Sequence, residues 1–109
     1  MMIDLNTPIL DFKSQPIRMS QEISDGFMTI EIVSIQALQN RLPNDDKLSD
    51  AERAAIFKLG IKVGKGGMVK MESAEIVLLR KRIDAAFTPM VSGRAGEILE
   101  GEATQAKEA

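Results

Sequence analysis

Apolar residues at helical spacing, bounded by capping signals, predict helices in the second half of the chain. Ser49 followed by Glu52 is a capping-box pattern, in which each side chain accepts a hydrogen bond from the other residue's backbone amide. We therefore expect a helix to begin at Asp50. It should end between Gly60 and Gly64, because the glycine-rich residues 64–67 disfavour regular structure, and residues 68–71 then suit a short extended segment.

Two further helices are predicted after residue 72. We expect Ser73 to cap a helix that runs to Phe87, with an apolar face formed by Ile76, Leu79, Ile83, Ala86 and Phe87. Thr88 and Pro89 are typical of a cap and a first helical residue, and Gly101 is typical of a helix end. They predict a last helix between them.

The N-terminal pattern predicts a β-hairpin. Short apolar stretches at residues 8–12 and 17–19 are separated by a polar connection of hairpin length, residues 13–16. Pro8 and Pro16 each remove a backbone donor, so the strands should be short or lie at an edge.

Residues 28–36 carry two overlapping patterns. Met28, Ile30 and Ile32 alternate with polar residues as in a strand, whereas Ile30, Val33 and Ala37 keep helical spacing. The length of the run, to Leu42, favours a helix with Thr29 as its cap, but the pattern alone leaves both alternatives open for residues 28–36.

Together these elements predict a single α+β domain over residues 1–101, in which an N-terminal hairpin precedes three or four helices packed as a small irregular bundle. Residues 102–109 contain no large apolar side chain that could anchor them to a core. We expect them to form a disordered C-terminal tail.

Composition narrows the possible functions. The chain has no His, Cys or Tyr, so it lacks the usual proton shuttles, activated nucleophiles and thiolate metal ligands. We expect no enzymatic activity, no cofactor and no metal site. The apolar runs are also too short for a membrane span or a signal peptide, so we expect no membrane association.

The charges are unevenly distributed. The net charge is −2, but residues 53–82 contain eight basic and two acidic residues. Within this segment Lys62, Lys65 and Lys70 are candidate contacts for an anion or nucleic acid. Residues 64–67 also invite comparison with a phosphate-binding loop, but their spacing fits neither the Walker nor the dinucleotide pattern, which favours a simple link between two helices.

Two helices are apolar on two sides, which predicts contact with another chain. In the helix from Ser73, Leu78 and Ala85 lie opposite the main apolar stripe, flanked by Lys81 and Arg82. In the helix from Asp50 one side holds Ala54, Phe57 and Ile61, and the other holds Ala55, Leu59 and Val63. A domain this small cannot cover every such face. We therefore take Leu78, Lys81, Arg82 and Ala85 as a candidate partner contact on an outer, solvated surface.

Several segments resemble a group of small proteins encoded by tailed bacteriophages and prophages. The resemblance is carried by residues 5–12 (Leu-Asn-Thr-Pro-Ile-Leu-Asp-Phe), Gln15-Pro16-Ile17, Ser73-Ala74-Glu75-Ile76, Arg82-Ile83, residues 87–91 (Phe-Thr-Pro-Met-Val) and Gly93-Arg94. It implies an origin in a phage genome and no enzymatic role, and it transfers no binding residue.

The functional hypothesis is a phage accessory protein that acts by protein–protein binding, through self-association, phage assembly or a host target. It would work in the host cytoplasm, with association to the virion left open. The alternative is a small nucleic-acid-binding regulator that uses residues 53–82.

Overall fold

The fold is α+β, as predicted. The computed structural model describes residues 2–18, 26–43 and 45–100, so the end of the second predicted strand at Met19, the helix end at Gly101 and the expected tail at 102–109 lie outside the described residues. Its elements, in chain order, are β1 (Met2–Asp4), α1 (Ile30–Gln39), a 3-10 turn (Asp45–Lys47), α2 (Asp50–Gly64), β2 (Met68–Lys70), α3 (Ser73–Ala86) and α4 (Pro89–Leu99).

The N-terminal hairpin is present, with the short pairing that its prolines predict. The amide of Asp11 donates to the carbonyl of Gln15 at 2.8 Å, and the amide of Ile17 donates to the carbonyl of Ile9 at 3.1 Å. The only bridge between the two arms joins Leu10 and Pro16 in the described residues. The Asp11 carboxylate accepts the amide of Gln15 at 3.0 Å and so closes the turn.

Residues 30–36 are helical, as the length of the run favoured, although the helix ends at Gln39 and not at Leu42. Met28 is extended, because its amide donates to Ile17 at 2.7 Å and its carbonyl accepts from Ile9 at 2.8 Å. The helix then begins at Ile30, with the Thr29 hydroxyl accepting a hydrogen bond from the amide of Ile32.

The two-stranded sheet joins distant parts of the chain. β1 pairs antiparallel with β2, with Ile3 opposite Val69. Both of these side chains are buried, while Met2 and Met68 on the other face are exposed. Gly66 and Gly67, at φ of 70° and 69°, lead α2 into β2 through a conformation that glycine adopts without strain.

The helix starts agree with the sequence at α2 and α4 and differ at α3. At α2 the Ser49 hydroxyl accepts the amide of Glu52 at 3.1 Å, and the Glu52 carboxylate accepts the amide of Ser49 at 3.2 Å. The prediction that Ser73 caps α3 is wrong. Ser73 is the first helical residue and Glu72 is the N-cap, whose amide is satisfied by the Glu75 carboxylate at 2.8 Å.

The core is aliphatic and is built around α1, which packs against α2, α3 and α4. The residues that form it from all parts of the chain are Ile3, Leu5, Ile9, Ile30, Val33, Ala37, Leu38, Leu59, Val63, Val69, Met71, Leu79, Ile83, Val91, Ala95 and Leu99. From α2 only Leu59 and Val63 are buried. α2 is therefore a peripheral helix with most of its surface uncovered.

Candidate functional site

Leu78 and Ala85, two of the predicted partner contacts on α3, line a groove of about 350 Å³. The groove runs between α3 and the segment that joins α1 to α2, and we call it the Leu78 groove. Its remaining apolar lining comes from Leu42, Pro43, Leu48 and Ile56. Sequence patterning did not place these residues near Leu78, because they lie in a loop and on a helix that meet α3 only in the folded chain.

The side chains in this groove are exposed to different degrees. Leu78 is half-buried and packs against the core on one side. Ala85 and Lys81 are exposed, as predicted for an outer surface. Lys47 and Lys81 contribute positive charge to the lining, and Glu52 contributes negative charge. The arrangement suits an apolar side chain of a partner, flanked by charged groups.

The position of Arg82 differs from the one predicted from the sequence. It was expected on the outer, solvated face, but it is 7% exposed. Its Nε donates to the carbonyl oxygen of Ala37 at 3.1 Å, and its Nη2 donates to that of Asn40 at 2.9 Å. It also forms an ion pair with Asp45. Because the end of α1 presents carbonyls without helical partners, a guanidinium with several donors is stable there. Arg82 therefore stabilises the groove and is not free to bind a partner.

The two carboxylates beside the groove are held in their ionised form. The Arg82 guanidinium, helped by the backbone amide of Leu42 at 2.7 Å, lowers the pKa of Asp45. The amide and hydroxyl of Ser49 lower the pKa of Glu52. Neither group is suited to proton transfer near neutral pH, where a general acid or base needs a pKa close to the working pH.

The three lysines proposed as anion contacts are only partly brought together. Lys62 Nζ donates to the carbonyl of Lys70 at 3.0 Å and forms an ion pair with Glu75 at 2.7 Å. Burial raises the pKa of Glu75, but the amide of Glu72 and the Lys62 charge outweigh it, so the net shift is downward. Lys65 and Lys70 are exposed. The Glu75 carboxylate thus compensates the charge of Lys62, one of the three lysines.

The arginines of the basic segment 53–82 are also engaged within the protein, as shown above for Arg82. Arg80 pairs with Glu100 at 2.6 Å. Arg53 donates to the backbone carbonyls of Leu48 and Asp45. Lys58, Lys65, Lys70 and Lys81 are exposed, but the arginines of the segment are not free to contact phosphate.

The glycine-rich residues 64–67 are a structural link. The amide of Gly66 donates to Val63 at 3.0 Å, and the carbonyl of Gly67 accepts the amide of Leu5 at 2.9 Å. The Gly66 amide is thus not directed outward as it would be in a phosphate cradle. Among the described residues, no group of three acidic side chains is placed to hold a metal ion.

A second apolar surface lies on α2. The sequence placed Phe57 and Ile61 opposite Leu59 and Val63, but could not say which side faces the core. Leu59 and Val63 are buried, whereas Phe57 is 69% and Ile61 is 55% exposed. Both border a groove of about 300 Å³ between α1 and α2, which we call the Gly60 groove.

No family model, curated protein or solved structure matches the chain. None of the helices in residues 2–18, 26–43 and 45–100 has the length and apolar character to span a bilayer.

Proposed function

We propose that this chain is a non-enzymatic accessory protein of a tailed bacteriophage, and that it acts by binding another protein through the Leu78 groove. The observation that supports protein binding is the groove itself, in which apolar residues from α2, α3 and the segment that joins α1 to α2 surround about 350 Å³ of space. The phage origin is supported by the sequence resemblance described above. The host cytoplasm, or the virion, is the compartment that this origin implies.

The lining defines the chemistry of the partner. Leu42, Leu48 and Leu78 favour an aliphatic or aromatic side chain, whose burial contributes roughly 1.5–3 kcal/mol. Lys47 and Lys81 favour an acidic residue next to that side chain. Nucleic-acid binding by residues 53–82 is the alternative, and the internal ion pairs of Lys62, Arg80 and Arg82 argue against it.

Substitutions that fill or charge the groove test the proposal. Ala85→Glu adds a charge at an exposed position without disturbing the core, and Leu78→Glu charges the groove directly. Both variants should fold and lose the partner recovered by affinity capture from phage-infected cells. Val77→Glu is the matched control, because Val77 neighbours Leu78 and is 67% exposed outside the groove. It should retain the partner.

The outcomes separate the two functions. If both groove variants fold and still capture the partner as well as the wild type, the groove is not its binding site. A salt-sensitive mobility shift of DNA, lost when Lys65 and Lys70 are replaced by Glu, would instead support the nucleic-acid alternative.

A further inference from the structure

The exposed face of α2 carries a regular stripe. Asp50, Ala54, Phe57, Ile61 and Gly64 are all exposed. Their separations alternate between four and three residues, which is the spacing of the seam by which two helices pack along their length. We call these five residues the α2 stripe. A peripheral helix gains little within the monomer from exposing the apolar side chains of this stripe, Ala54, Phe57 and Ile61.

The stripe and the adjoining groove complement each other in shape. The residues that line the Gly60 groove are Ile35, Leu38, Gln39, Ile56, Phe57, Gly60 and Ile61. A Cβ atom built on Gly60 would meet nothing within 4 Å, so the space above this glycine is open. One helix thus presents a projecting aromatic ring and, one turn later, an apolar recess. A twofold interface requires such a surface, because the same patch must supply both sides.

The charges along α2 select the direction of pairing. Asp50 and Glu52 lie in the first turn, whereas the exposed Lys58 and Lys65 lie in the second half and at the C-cap. Antiparallel pairing brings the acidic end of each helix to the basic end of the other and opposes the two helix dipoles. Parallel pairing would bring like charges together. The acidic and basic ends therefore complement a second copy of the same helix.

We propose that two copies of this chain form a dimer through antiparallel α2 helices, related by a twofold axis near Phe57. Each Phe57 ring enters the Gly60 groove of the other copy. Ala54 of one copy faces Ile61 of the other, so that a small residue meets a large one, and Asp50 faces Lys65. Ile56 lines both grooves, but the substituted residues Phe57, Leu78 and Ala85 each line only one of them, so either proposal can fail without the other.

A helix of this length spans about 22 Å, so the interface is at the small end of specific interfaces and the dimer should be reversible. Sedimentation equilibrium of the full chain over a concentration series should show a monomer–dimer equilibrium. A chain that remains monomeric at about 1 mM overturns the proposal.

Phe57→Glu should raise the dissociation constant at least about tenfold, because a charge would have to enter an apolar groove. Its circular dichroism spectrum should stay unchanged, since Phe57 is 69% exposed in the monomer. Val77→Glu is the matched control, at 67% exposure on α3. If Phe57→Glu dimerises like the wild type, or if Val77→Glu weakens the dimer equally, the α2 stripe is not the interface.

A charge swap tests the direction. Asp50→Lys and Lys65→Glu should each weaken the dimer by placing like charges opposite one another. The double variant should recover most of the lost affinity. Failure of this rescue, with both single variants folded and weakened, contradicts the pairing of Asp50 with Lys65.

Spin labels give an independent measure of direction. The chain has no native cysteine, so a single introduced cysteine labels one site. In an antiparallel dimer, labels at Ala51→Cys are offset by about 20 Å along the helix axis, whereas labels at Lys58→Cys lie nearly level. The separation measured by pulsed electron resonance should therefore be clearly longer at position 51. Equal separations at the two positions would indicate parallel helices and overturn the proposal.

Discussion

The Nε atom of Arg82 lies 3.1 Å from the carbonyl oxygen of Ala37, so α3 supplies a donor that the last turn of α1 lacks. The same guanidinium reaches the carbonyl of Asn40 at 2.9 Å and pairs with Asp45 at the start of the 3-10 turn. One buried side chain thus joins three segments that form or support the Leu78 groove. The shape of that groove depends on Arg82.

We predict that Arg82→Ala lowers the free energy of unfolding by about 3 kcal/mol. The substitution leaves the buried carbonyl oxygen of Ala37 without this donor and removes hydrogen bonds to a charged group. Arg82→Lys should rescue little, because an ammonium group cannot reproduce the forked geometry. Urea denaturation measures the effect. Lys81→Ala, at the exposed neighbouring position, should change stability by less than about 0.5 kcal/mol. Equal losses for the two variants would contradict a structural role specific to Arg82.

The ion pair also predicts a dependence of stability on pH. The pKa of Asp45 is lower in the folded protein than its ordinary value of about 4. Its stabilisation is therefore fully present above pH ~4 and is lost as the pH falls through the folded-state pKa. Asp45→Asn should be less stable than the wild type at neutral pH, and this difference should shrink as the solution is acidified. Denaturation curves at several pH values measure the stability difference between the wild type and Asp45→Asn. A difference that stays constant with pH would refute the stabilising role of ionised Asp45. Glu52 and Glu75, whose pKa values are also lowered, should maintain some acid sensitivity in the variant.

Ser49→Ala should lower stability by about 1 kcal/mol, because the Ser49 hydroxyl accepts the amide of Glu52 at the start of α2. Ser73→Ala is an informative comparison. Ser73 lies inside α3 and is not its cap, so its replacement by a better helix former should not destabilise the protein. Thermal or chemical denaturation of the two variants shows which of the two serines caps its helix. A larger loss at Ser73 than at Ser49 would show that the assigned caps are wrong.

Ser34 is fully buried, and its hydroxyl has no hydrogen-bond partner in the described part of the protein. Burying a hydroxyl without a partner costs free energy, so Ser34→Ala should leave stability unchanged or raise it by about 1 kcal/mol. The midpoint of urea denaturation is the measurement. Ser34→Val provides a comparison, and we expect it to lower stability because added volume in a close-packed core is destabilising. A clear loss for the alanine variant would mean that the hydroxyl is satisfied after all.

Local interactions made much of the helical structure predictable from the amino-acid sequence. The capping box at Ser49 and Glu52, the proline at the first turn of α4 and the hairpin connection each involve residues within a few positions of one another, so their energetics are visible in the chain itself. The same is true of Thr29, which the sequence proposed as a cap. Ser73 was misassigned as the cap of α3 because it is adjacent to the true N-cap, Glu72. The Glu72–Glu75 pair that closes the start of α3 lies within the same few residues as the expected cap.

Tertiary structure decided the features that depend on contacts between distant residues. β1 finds its partner in β2 across most of the chain, and nothing local to residues 2–4 specifies that pairing. The burial of Arg82 likewise depends on the carbonyls at the end of α1, and the sequence of α3 alone does not predict that contact. On α2 both faces are apolar by sequence, and only packing against α1 determined that Leu59 and Val63 are buried while Phe57 and Ile61 remain exposed. Helical periodicity specifies which residues share a face, but the free energy of burial depends on what the rest of the chain brings against it.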